Sequence, residues 1–500
     1  MRVIHWFRQD LRLRDNPALI EAARKGEVLP VYILDDKSAG EWAAGAASRW
    51  WLHRSLHQLN DSIGGKLVIL KGRADHLLPT LARNCQSEAV YWNRCYEPWR
   101  IQRDRRIKEA LRSQEVEVRS FNGSLLWEPW TVLKADGTPY KVFTPFYRKG
   151  CLKSVPPRAP LPQPKKVQWA SCSLGETQAL SLEALKLLPE AGSESVLMYP
   201  GGGHSLQRVD WTEQLTSYWQ RDEAGDGIGE ESAHRRLQAF IQTGLASYKE
   251  GRDYPARQCV SRLSPHLHFG ELSPNQVWYE TAAAVASEKV ESDLDHFHSE
   301  LGWREFSYYL LFHFPTLPLD NFQRKFDGFP WQNNQERLKT WQRGQAGYPI
   351  VDAGMRELWQ TGFMHNRVRM IVGSFLIKNL LQDWRQGEEW FWDCLVDADL
   401  ASNAASWQWV AGAGADAAPY FRIFNPVTQA KKFDLQGDYI RQYVPELANV
   451  PLPHLFAPWE APEALLKESS VVLGKDYPKP IVDLKYSRER ALAAWKQLRT

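Results

Sequence analysis

The first 130 residues alternate between two hydrophobic patterns. Short runs rich in β-branched and aromatic residues, bounded by turn residues, occur at 2–7, 28–35, 66–71, 89–93 and 116–122. Between them lie segments with apolar residues at helical spacing, as at 48–59 and 98–112. Alternation of this kind predicts a parallel sheet with helices on both faces. We therefore expect residues 1–130 to form an α/β domain.

Two further changes of pattern divide the rest of the chain. Residues 131–210 are rich in Pro, Gly, Ser and Lys, which is typical of an extended connector that runs over the surface. Residues 211–495 lack strand patterns and carry apolar residues at roughly helical spacing. The predicted fold class is therefore α/β plus all-α: a Rossmann-like parallel sheet, a long linker and a helical domain.

The helical domain carries polar and aromatic residues on faces that should be buried. They are concentrated between 348 and 409, where Trp, Asn, Arg, Asp and Met stand among the apolar positions. Burying such polar groups is costly unless they are paired or bound to a ligand. The pattern indicates a large, partly polar aromatic ligand inside the helical domain, with tryptophans leading away from it.

Composition and charge exclude several classes of protein. Hydrophobic residues make up 43% and charged residues 24% of the chain, as in an ordinary globular protein. No apolar run reaches the roughly 18 residues of a membrane span, and the N-terminus lacks the apolar core of a signal peptide. The formal charge of +3 is too small to indicate nucleic acid by itself. Six scattered cysteines without a Cys-x-x-Cys pair predict free thiols, no zinc site and a reducing cytosol.

Five motifs, in order along the chain, resemble those of the DNA photolyase/cryptochrome family. They are the stretches 6–16, 261–265, 303–306, 347–409 and 477–483. The resemblance covers nearly the whole chain. It implies a photolyase of bacterial type, similar to classes I and III, that repairs cyclobutane pyrimidine dimers (CPDs). It also implies an N-terminal antenna domain and a helical domain that binds FAD and damaged DNA.

The loop before residue 265 is a candidate phosphate site. A Ser-Pro pair followed by an apolar run predicts a helix start with Ser264 as the N-cap. Helix N-termini bind phosphate through free backbone N–H groups, although a plain cap is the alternative. In the family this loop holds the FAD pyrophosphate, and Thr is usual where this chain has Val260. The resemblance gives the following cofactor contacts in and before the loop: Tyr248, Val260, Ser261, Arg262, Leu263 and Ser264.

A second candidate site lies on one helix face, where Phe297, Glu300, Trp303 and Arg304 are spaced three or four residues apart. A surface ion pair between Glu300 and Arg304 is the simpler alternative. By resemblance, Phe297, Glu300 and Arg304 belong to the cofactor site. Glu300 would also hydrogen-bond a base of the dimer. Trp303 would pack against the dimer, with Trp409 as the opposite wall.

Asn366 and Met370 share a helix face and distinguish the branches of the family. By resemblance, Asn366 faces the reactive edge of the flavin or the base beside it. Plant cryptochromes usually carry Asp at this position, and photolyases for 6-4 lesions carry His at both positions. Asn with Met matches the CPD enzymes. His365 is therefore interpreted as a helix-packing residue.

The acidic run near residue 400 could suggest a metal site. An EF-hand would need Gly at its sixth position and Glu at its twelfth, and the run has neither, so no metal is expected. By resemblance, Asp397 pairs with Arg369, and Asp399 contacts the flavin ring. Asn403 would lie beside the reactive edge of the ring, and Ala398 is also a predicted cofactor contact.

Three tryptophans occupy the positions of the family's electron-transfer chain to the flavin, namely Trp331, Trp384 and Trp407. Aromatic residues that simply fill a core are the alternative. Trp407 and Trp409 are two residues apart and therefore cannot face the same way on one helix. We expect Trp407 to face the electron-transfer chain and Trp409 to face the lesion.

Ultraviolet-damaged DNA is the partner that the resemblance implies. Contacts with the phosphate backbone are expected from Arg252, Arg367, Arg422 and Gln429, beside the lesion walls Trp303 and Trp409. Arginine–phosphate contacts position a duplex without reading its sequence, which suits a lesion that occurs anywhere. A monomer in the bacterial cytosol, without membrane contact, is expected.

The antenna site has a modified sequence. In folate-binding relatives an Asn-Glu pair contacts the pterin, where this chain has Trp99 and Arg100. Methenyltetrahydrofolate is the favoured chromophore. A deazaflavin or an empty site stays open.

The resulting hypothesis is light-driven repair of CPDs by electron transfer from reduced FAD to a dimer flipped out of the duplex. A dimer is already poorly stacked, so flipping it costs less than flipping a normal base. One rival is a cryptochrome-type photoreceptor, opposed by Asn366 and by a chain that ends at Thr500 without a regulatory tail. The other rival is a 6-4 photolyase, opposed by Met370.

Overall fold

A computed structural model of the chain describes residues 1–172, 178–189, 210–220, 227–285, 288–417 and 421–498. Parts of the expected linker, 173–177 and 190–209, lie outside the described residues. Most elements of the two domains lie within them.

The N-terminal part is built on a parallel sheet of five strands in the order β3-β2-β1-β4-β5. The strands are β1 (Arg2–Phe7), β2 (Glu27–Leu34), β3 (Val68–Lys71), β4 (Ala89–Asn93) and β5 (Glu117–Phe121). Each predicted strand is present within two residues of its expected bounds. The central strand β1 pairs with β2 through Val3 and Val28 and with β4 through Val3 and Ala89.

Five helices connect these strands and cover the sheet. They are α1 (Pro17–Lys25), α2 (Asp36–Ala39), α3 (Ala46–Ser62), α4 (Ala74–Asn84) and α5 (Pro98–Arg112). Separate apolar clusters lie on the two faces, one containing Val3 and Trp50 and the other Ile4 and Leu78. Burial of strands on both faces explains their continuous hydrophobic runs.

The rest of the described chain is helical. Its helices are α6 (Trp211–Gln220), α7 (Glu230–Thr243), α8 (Tyr248–Gly251), α9 (Ser264–Phe269), α10 (Pro274–Ala283), α11 (Glu288–His313), α12 (Gln335–Gln342), α13 (Pro349–Thr361), α14 (Asn366–Ser374), α15 (Trp384–Cys394), α16 (Leu400–Ala411), α17 (Pro426–Phe433), α18 (Asp438–Tyr443), α19 (Glu463–Glu468) and α20 (Leu484–Gln497). The predicted fold class is confirmed. Across the described ranges, no helix has both the length and the apolar character to cross a bilayer.

The connector departs from the sequence expectation in two ways. It contains a π-helix at Pro145–Cys151 in place of extended chain throughout. Further along, Gln168 and Ala170 hydrogen-bond the backbone of Val28, so the connector runs beside β2. This path brings Cys172 to Cys85, with Cα atoms 5.5 Å apart in a disulfide.

The expectation of six free thiols is therefore wrong for Cys85 and Cys172. The remaining four cysteines, Cys95, Cys151, Cys259 and Cys394, are free. The pairing depends on a contact between segments 87 residues apart, which cysteine spacing does not reveal.

The two domains meet along a junction that includes buried polar groups. The buried guanidinium of Arg12 donates to the carbonyl oxygens of Asp15, Gly123 and Gly270, which joins three segments of the chain. The carboxylate of Glu305, on α11, accepts from the backbone N–H groups of Leu126 (2.8 Å) and Trp127 (3.1 Å), at the start of the connector. These bonds fix the substrate-side helix α11 against the α/β domain.

Glu305 should make stability depend on pH. Burial raises its pKa to about 7, against the opposing effects of Arg304 and the two backbone donors. A raised folded-state pKa means that its stabilising contribution is complete below the unfolded value of about 4.5 and is lost as pH rises through about 7. In the parent, the free energy of unfolding should fall by on the order of 2–3 kcal/mol between pH 4.5 and 7 through this group. Glu305→Gln should abolish that part of the decrease.

Thermal unfolding from pH 4.5 to 8 measures this effect. Glu109→Gln, which changes an exposed carboxyl on α5, is the matched control and should follow the parent. A Glu305→Gln variant with the pH profile of the parent would contradict the linkage.

Candidate functional site

A cavity of about 510 Å³ lies inside the helical domain, within the usual size range of cofactor sites. It is surrounded by α8, α9, α11, α14, α15 and α16. The lining includes these predicted site residues: Tyr248, Arg252, Ser261, Leu263, Ser264, Phe297, Glu300, Trp303, Arg304, Asn366, Arg369, Met370, Asp397, Ala398, Asp399, Asn403, Trp407 and Trp409. Segments up to 160 residues apart in sequence thus converge on one space.

The face of α11 expected from helical spacing points into this cavity. Phe297, Glu300, Trp303 and Arg304 all line it. Arg304 donates to the carbonyl oxygen of Ser124 at 2.9 Å and to the neighbouring Glu305, so its bonds lead to the α/β domain. The simpler interpretation, a Glu300–Arg304 surface pair, is therefore not what forms.

Glu300 has a different partner. Its carboxylate accepts a hydrogen bond from the guanidinium of Arg252, which follows α8. Burial lowers the pKa of Arg252, but the bond to Glu300 and nearby negative charge raise it overall above its ordinary value. Arg252, expected at the DNA backbone, is thus held in the cavity wall at 14% side-chain exposure, and Glu300 is held beside a cation.

Trp303 is oriented by the connector. Its ring stacks on Phe143 with centroids 3.9 Å apart and planes 10° apart. The backbone N–H of Phe143 donates to Asp416 at 3.2 Å, which ties this part of the connector to the segment after α16. Trp303 therefore enters the cavity with a fixed ring plane, and Trp409 contributes a second, partly exposed indole.

Helix α14 presents Asn366, Arg369 and Met370 to the cavity. Arg369 donates to both carboxylate oxygens of Asp397, at 3.1 and 2.9 Å, so the expected ion pair is present. His365 is buried and accepts from the backbone N–H of Arg367 at 3.2 Å, which makes it the N-cap of the helix. Burial lowers the pKa of His365 to about 3, consistent with a neutral structural role.

Asp399 connects α16 to two other helices. Its carboxylate caps α16 by accepting from the backbone N–H of Ser402 at 2.8 Å. It also accepts from the hydroxyl of Tyr308, on α11, and lies 3.7 Å from Nδ1 of His268, on α9. Burial alone would raise the pKa of Asp399, but the nearby His268 and the hydrogen bond from Tyr308 hold it below its ordinary value.

The predicted phosphate loop reaches the cavity through Ser261, Leu263 and Ser264. Helix α9 begins at Ser264, one residue earlier than expected, with Leu263 as its N-cap and no side-chain capping bond among the described residues. The Ser264 hydroxyl is therefore not used for capping. Arg262 has a left-handed backbone (φ +52°), and its guanidinium lies 5.5 Å from the ring of Tyr218, away from the described lining.

Val260 is also missing from the described lining, although it was a predicted contact. Conversely, His268, Ser402 and Phe391 line the cavity without having been predicted. For His268 a signal existed, because it lies four residues after Ser264 and so shares its helix face. The lining combines a carboxylate, guanidinium groups, hydroxyls and aromatic rings, which fits a large aromatic cofactor that carries phosphates.

The three predicted electron-transfer tryptophans differ in burial: Trp407 lines the cavity, Trp384 is buried, and Trp331 is partly exposed. Trp407 lines the cavity and packs on Gly387 of α15, where an added Cβ would lie 2.2 Å from the indole. Helix α15 begins at Trp384, which is fully buried. The backbone N–H of Gln332 donates to the carbonyl oxygen of Leu381 at 2.8 Å, which brings the partly exposed Trp331 segment to the start of α15.

The remaining predicted DNA contacts lie outside the cavity lining. Arg367 is on α14, Gln429 is on α17, and the backbone oxygen of Arg422 accepts from the ammonium of Lys378. Arg367 packs 4.4 Å above the ring of Phe433, also on α17. In the described part of the chain, no cluster of His, Cys, Asp and Glu could hold a metal ion.

Two family models match the chain. One, described as the FAD binding domain of DNA photolyase, covers residues 297–497, and the other, described as DNA photolyase, covers 3–165. A deoxyribodipyrimidine photo-lyase from Agrobacterium fabrum is 47% identical over 99% of this chain and 97% of its own length. Cryptochrome-2 from Arabidopsis thaliana is 36% identical over 98% of this chain and 78% of its own.

A solved structure shows the same architecture. The crystal structure of a bacterial class III photolyase from Agrobacterium tumefaciens superposes with a TM-score of 0.89 at 46% identity. The match covers 100% of this chain and 98% of that one.

Asp399→Ala should weaken retention of FAD. The substitution removes the α16 cap, worth about 1 kcal/mol, together with the bond from Tyr308. Flavin absorbance per chain after gel filtration measures retention. Asp383→Ala removes a cap of the same kind from α15, outside the described cavity lining, and should retain the flavin. Equal flavin content in the Asp399→Ala and Asp383→Ala variants would contradict a role of Asp399 in binding FAD.

Proposed function

The chain belongs to the photolyase/cryptochrome family, and from this membership we propose that it repairs cyclobutane pyrimidine dimers in DNA with the energy of light. The enzyme class expected from the sequence is confirmed by full-length matches to proteins named deoxyribodipyrimidine photo-lyase. FAD is the cofactor that the C-terminal family model indicates. A monomer acting on DNA in the bacterial cytosol is part of the proposal.

The observation that carries the proposal is the meeting of acidic and aromatic groups of α11 and α16 with the polar and basic groups of α14 in one cavity. Reduced FAD, when bound, supplies the electron that light drives to the lesion. Trp303 and Trp409 would bind the flipped dimer between aromatic rings, since stacking of this kind contributes roughly 1–3 kcal/mol per base. Glu300 would hydrogen-bond a base of the dimer, and the adjacent Arg252 would offset negative charge there.

Asn366 and Met370 support dimer repair over the two rival functions in the family. Both line the cavity, where the amide of Asn366 donates and accepts hydrogen bonds but carries no proton that titrates near neutral pH. This favours repair over the photoreceptor chemistry expected of an Asp at the same position. Neither residue is the His expected for repair of 6-4 lesions.

A repair assay tests the proposal. The FAD-loaded, chemically reduced protein is incubated under blue light with an oligonucleotide that carries one thymine dimer, and restored thymines are measured by chromatography. We expect repair of the dimer in light, no repair in the dark, and no repair of a matched 6-4 photoproduct. Absence of light-dependent dimer repair in flavin-loaded protein would leave the photoreceptor as the better function.

An antenna chromophore is proposed for a second, smaller cavity of about 100 Å³ at the carboxyl ends of β1 and β2. Ligands of open α/β sheets bind at this edge. The guanidinium groups of Arg8 and Arg103 each lie 4.8 Å from the ring of Trp6, and that of Arg100 lies 4.7 Å from Trp99. Flat guanidinium and indole groups together suit a flat aromatic chromophore, so methenyltetrahydrofolate stays favoured and a deazaflavin stays open.

The antenna cavity encloses only part of such a molecule, because most cofactor sites have about 300–1,000 Å³. His268 and Ala398 line both this cavity and the larger one, so the two spaces adjoin at these residues. This proximity supports energy transfer from an antenna to the flavin.

Trp407→Phe should block light-driven reduction of bound oxidised FAD, because Trp407 is the one member of the proposed chain that lines the cavity within the described residues. Dimer repair by chemically reduced protein should persist. Flavin absorbance under blue light with an external reductant measures the first effect. Trp50→Phe, in an equally buried position of α3, should photoreduce like the parent. Undiminished photoreduction in Trp407→Phe would mean a route through other tryptophans, such as Trp390 or Trp392.

A further inference from the structure

Two ion pairs of opposite order meet at the end of α8, one in the lining of the large cavity and one outside that lining. Arg252 and Asp253 are consecutive residues at the end of α8, yet they pair with different helices. Arg252 binds Glu300 on α11, and Asp253 accepts from the guanidinium of Arg367 on α14 at 2.6 Å. The end of α8 thus presents a cation to one wall and an anion to the other.

The environment of Arg367 resembles a built phosphate site that already holds an anion. One guanidinium face lies over the ring of Phe433 at 4.4 Å, and one nitrogen lies 3.9 Å from the sulfur of Met370. These contacts, with 21% side-chain exposure, fix the direction of the guanidinium. The carboxylate of Asp253 binds the Arg367 guanidinium, and the Asp253 side chain is 37% exposed. A phosphate from solvent can therefore reach the same guanidinium.

We propose that Asp253 is an internal phosphate mimic that sets the affinity of this chain for DNA. Its carboxylate occupies the Arg367 guanidinium until a backbone phosphate replaces it, so binding exchanges one anion for another. The proposal rests on the proposed function, because it concerns the same DNA-binding face. The proposal adds Asp253, an acidic residue, to a face whose expected DNA contacts are basic, polar or aromatic.

The exchange has a measurable electrostatic signature. A free arginine that binds phosphate releases about one counterion, which adds about 0.9 to the slope of log K against log salt. Arg367 and Asp253 together carry no net charge. Exchange of Asp253 for a phosphate should therefore release less than one counterion. In the parent, Arg367 should therefore strengthen binding while contributing less than one unit to the salt dependence.

Asp253→Asn is the direct test. The amide is nearly isosteric but uncharged, so Arg367 becomes available to phosphate. Binding in the dark to an undamaged duplex, and to the same duplex with one thymine dimer, should tighten about threefold to tenfold at low salt. The slope of log K against log salt should steepen by about one unit for both duplexes. Fluorescence anisotropy at several salt concentrations measures both quantities in FAD-loaded protein.

A double-mutant cycle separates this mechanism from a general change of charge. If Asp253 acts through Arg367, the effect of Asp253→Asn on affinity and slope should vanish in an Arg367→Ala background. Asp295→Asn, which removes a carboxylate on α11 that pairs with Arg148, is the charge control and should change the slope by much less. Flavin absorbance verifies that each variant is folded and loaded.

The results distinguish failure of the phosphate-mimic proposal from failure of the proposed repair function. Equal gains from Asp253→Asn with and without Arg367, or no gain at all, would overturn the phosphate mimic while leaving dimer repair intact. A parent protein that fails to prefer dimer-containing DNA would instead overturn the proposed function.

Discussion

The carboxylate of Asp399 connects three helices that surround the large cavity. It caps α16, accepts the hydroxyl of Tyr308 on α11 and lies beside His268 on α9. Because these contacts satisfy its oxygens, a charged group can remain buried without the large desolvation cost of an unpaired one. The position of α16 in turn places Asn403, Trp407 and Trp409, so one carboxylate fixes several side chains of the cavity lining.

The α/β domain contributes to the substrate side through the connector. Glu305 binds the backbone of Leu126 and Trp127, and Phe143 stacks on Trp303 two positions earlier on α11. The same helix therefore meets the connector on one side and the cavity on the other. Movement of the connector relative to α11 would displace an aromatic wall of the cavity. This coupling gives the long connector a structural role beyond joining two domains.

Local hydrophobic patterns predicted the helices and strands. Contacts between distant segments could not be predicted from these patterns. Strands buried on both faces are read as continuous apolar runs, and the four cavity residues of α11 follow directly from helical spacing. The start of α9 lies one residue before the predicted one, with Leu263 at the N-cap in place of Ser264, although side-chain preference favours Ser there. Which carboxylate pairs with Arg252, and which cysteine meets Cys85, depends on chain paths that periodicity does not encode.

Charge near the cavity is organised in pairs, and this limits what electrostatics alone can contribute to DNA recognition. The formal net charge is +3, and Arg252, Arg367 and Arg369 each lie within 4 Å of a carboxylate. Paired charges produce weak long-range fields, especially at a Debye length of about 8 Å in physiological salt. Attraction to undamaged duplex should then be modest. On the proposed function, preference for a lesion comes from the cavity itself, where an extruded pyrimidine dimer exchanges solvent for aromatic rings and polar side chains.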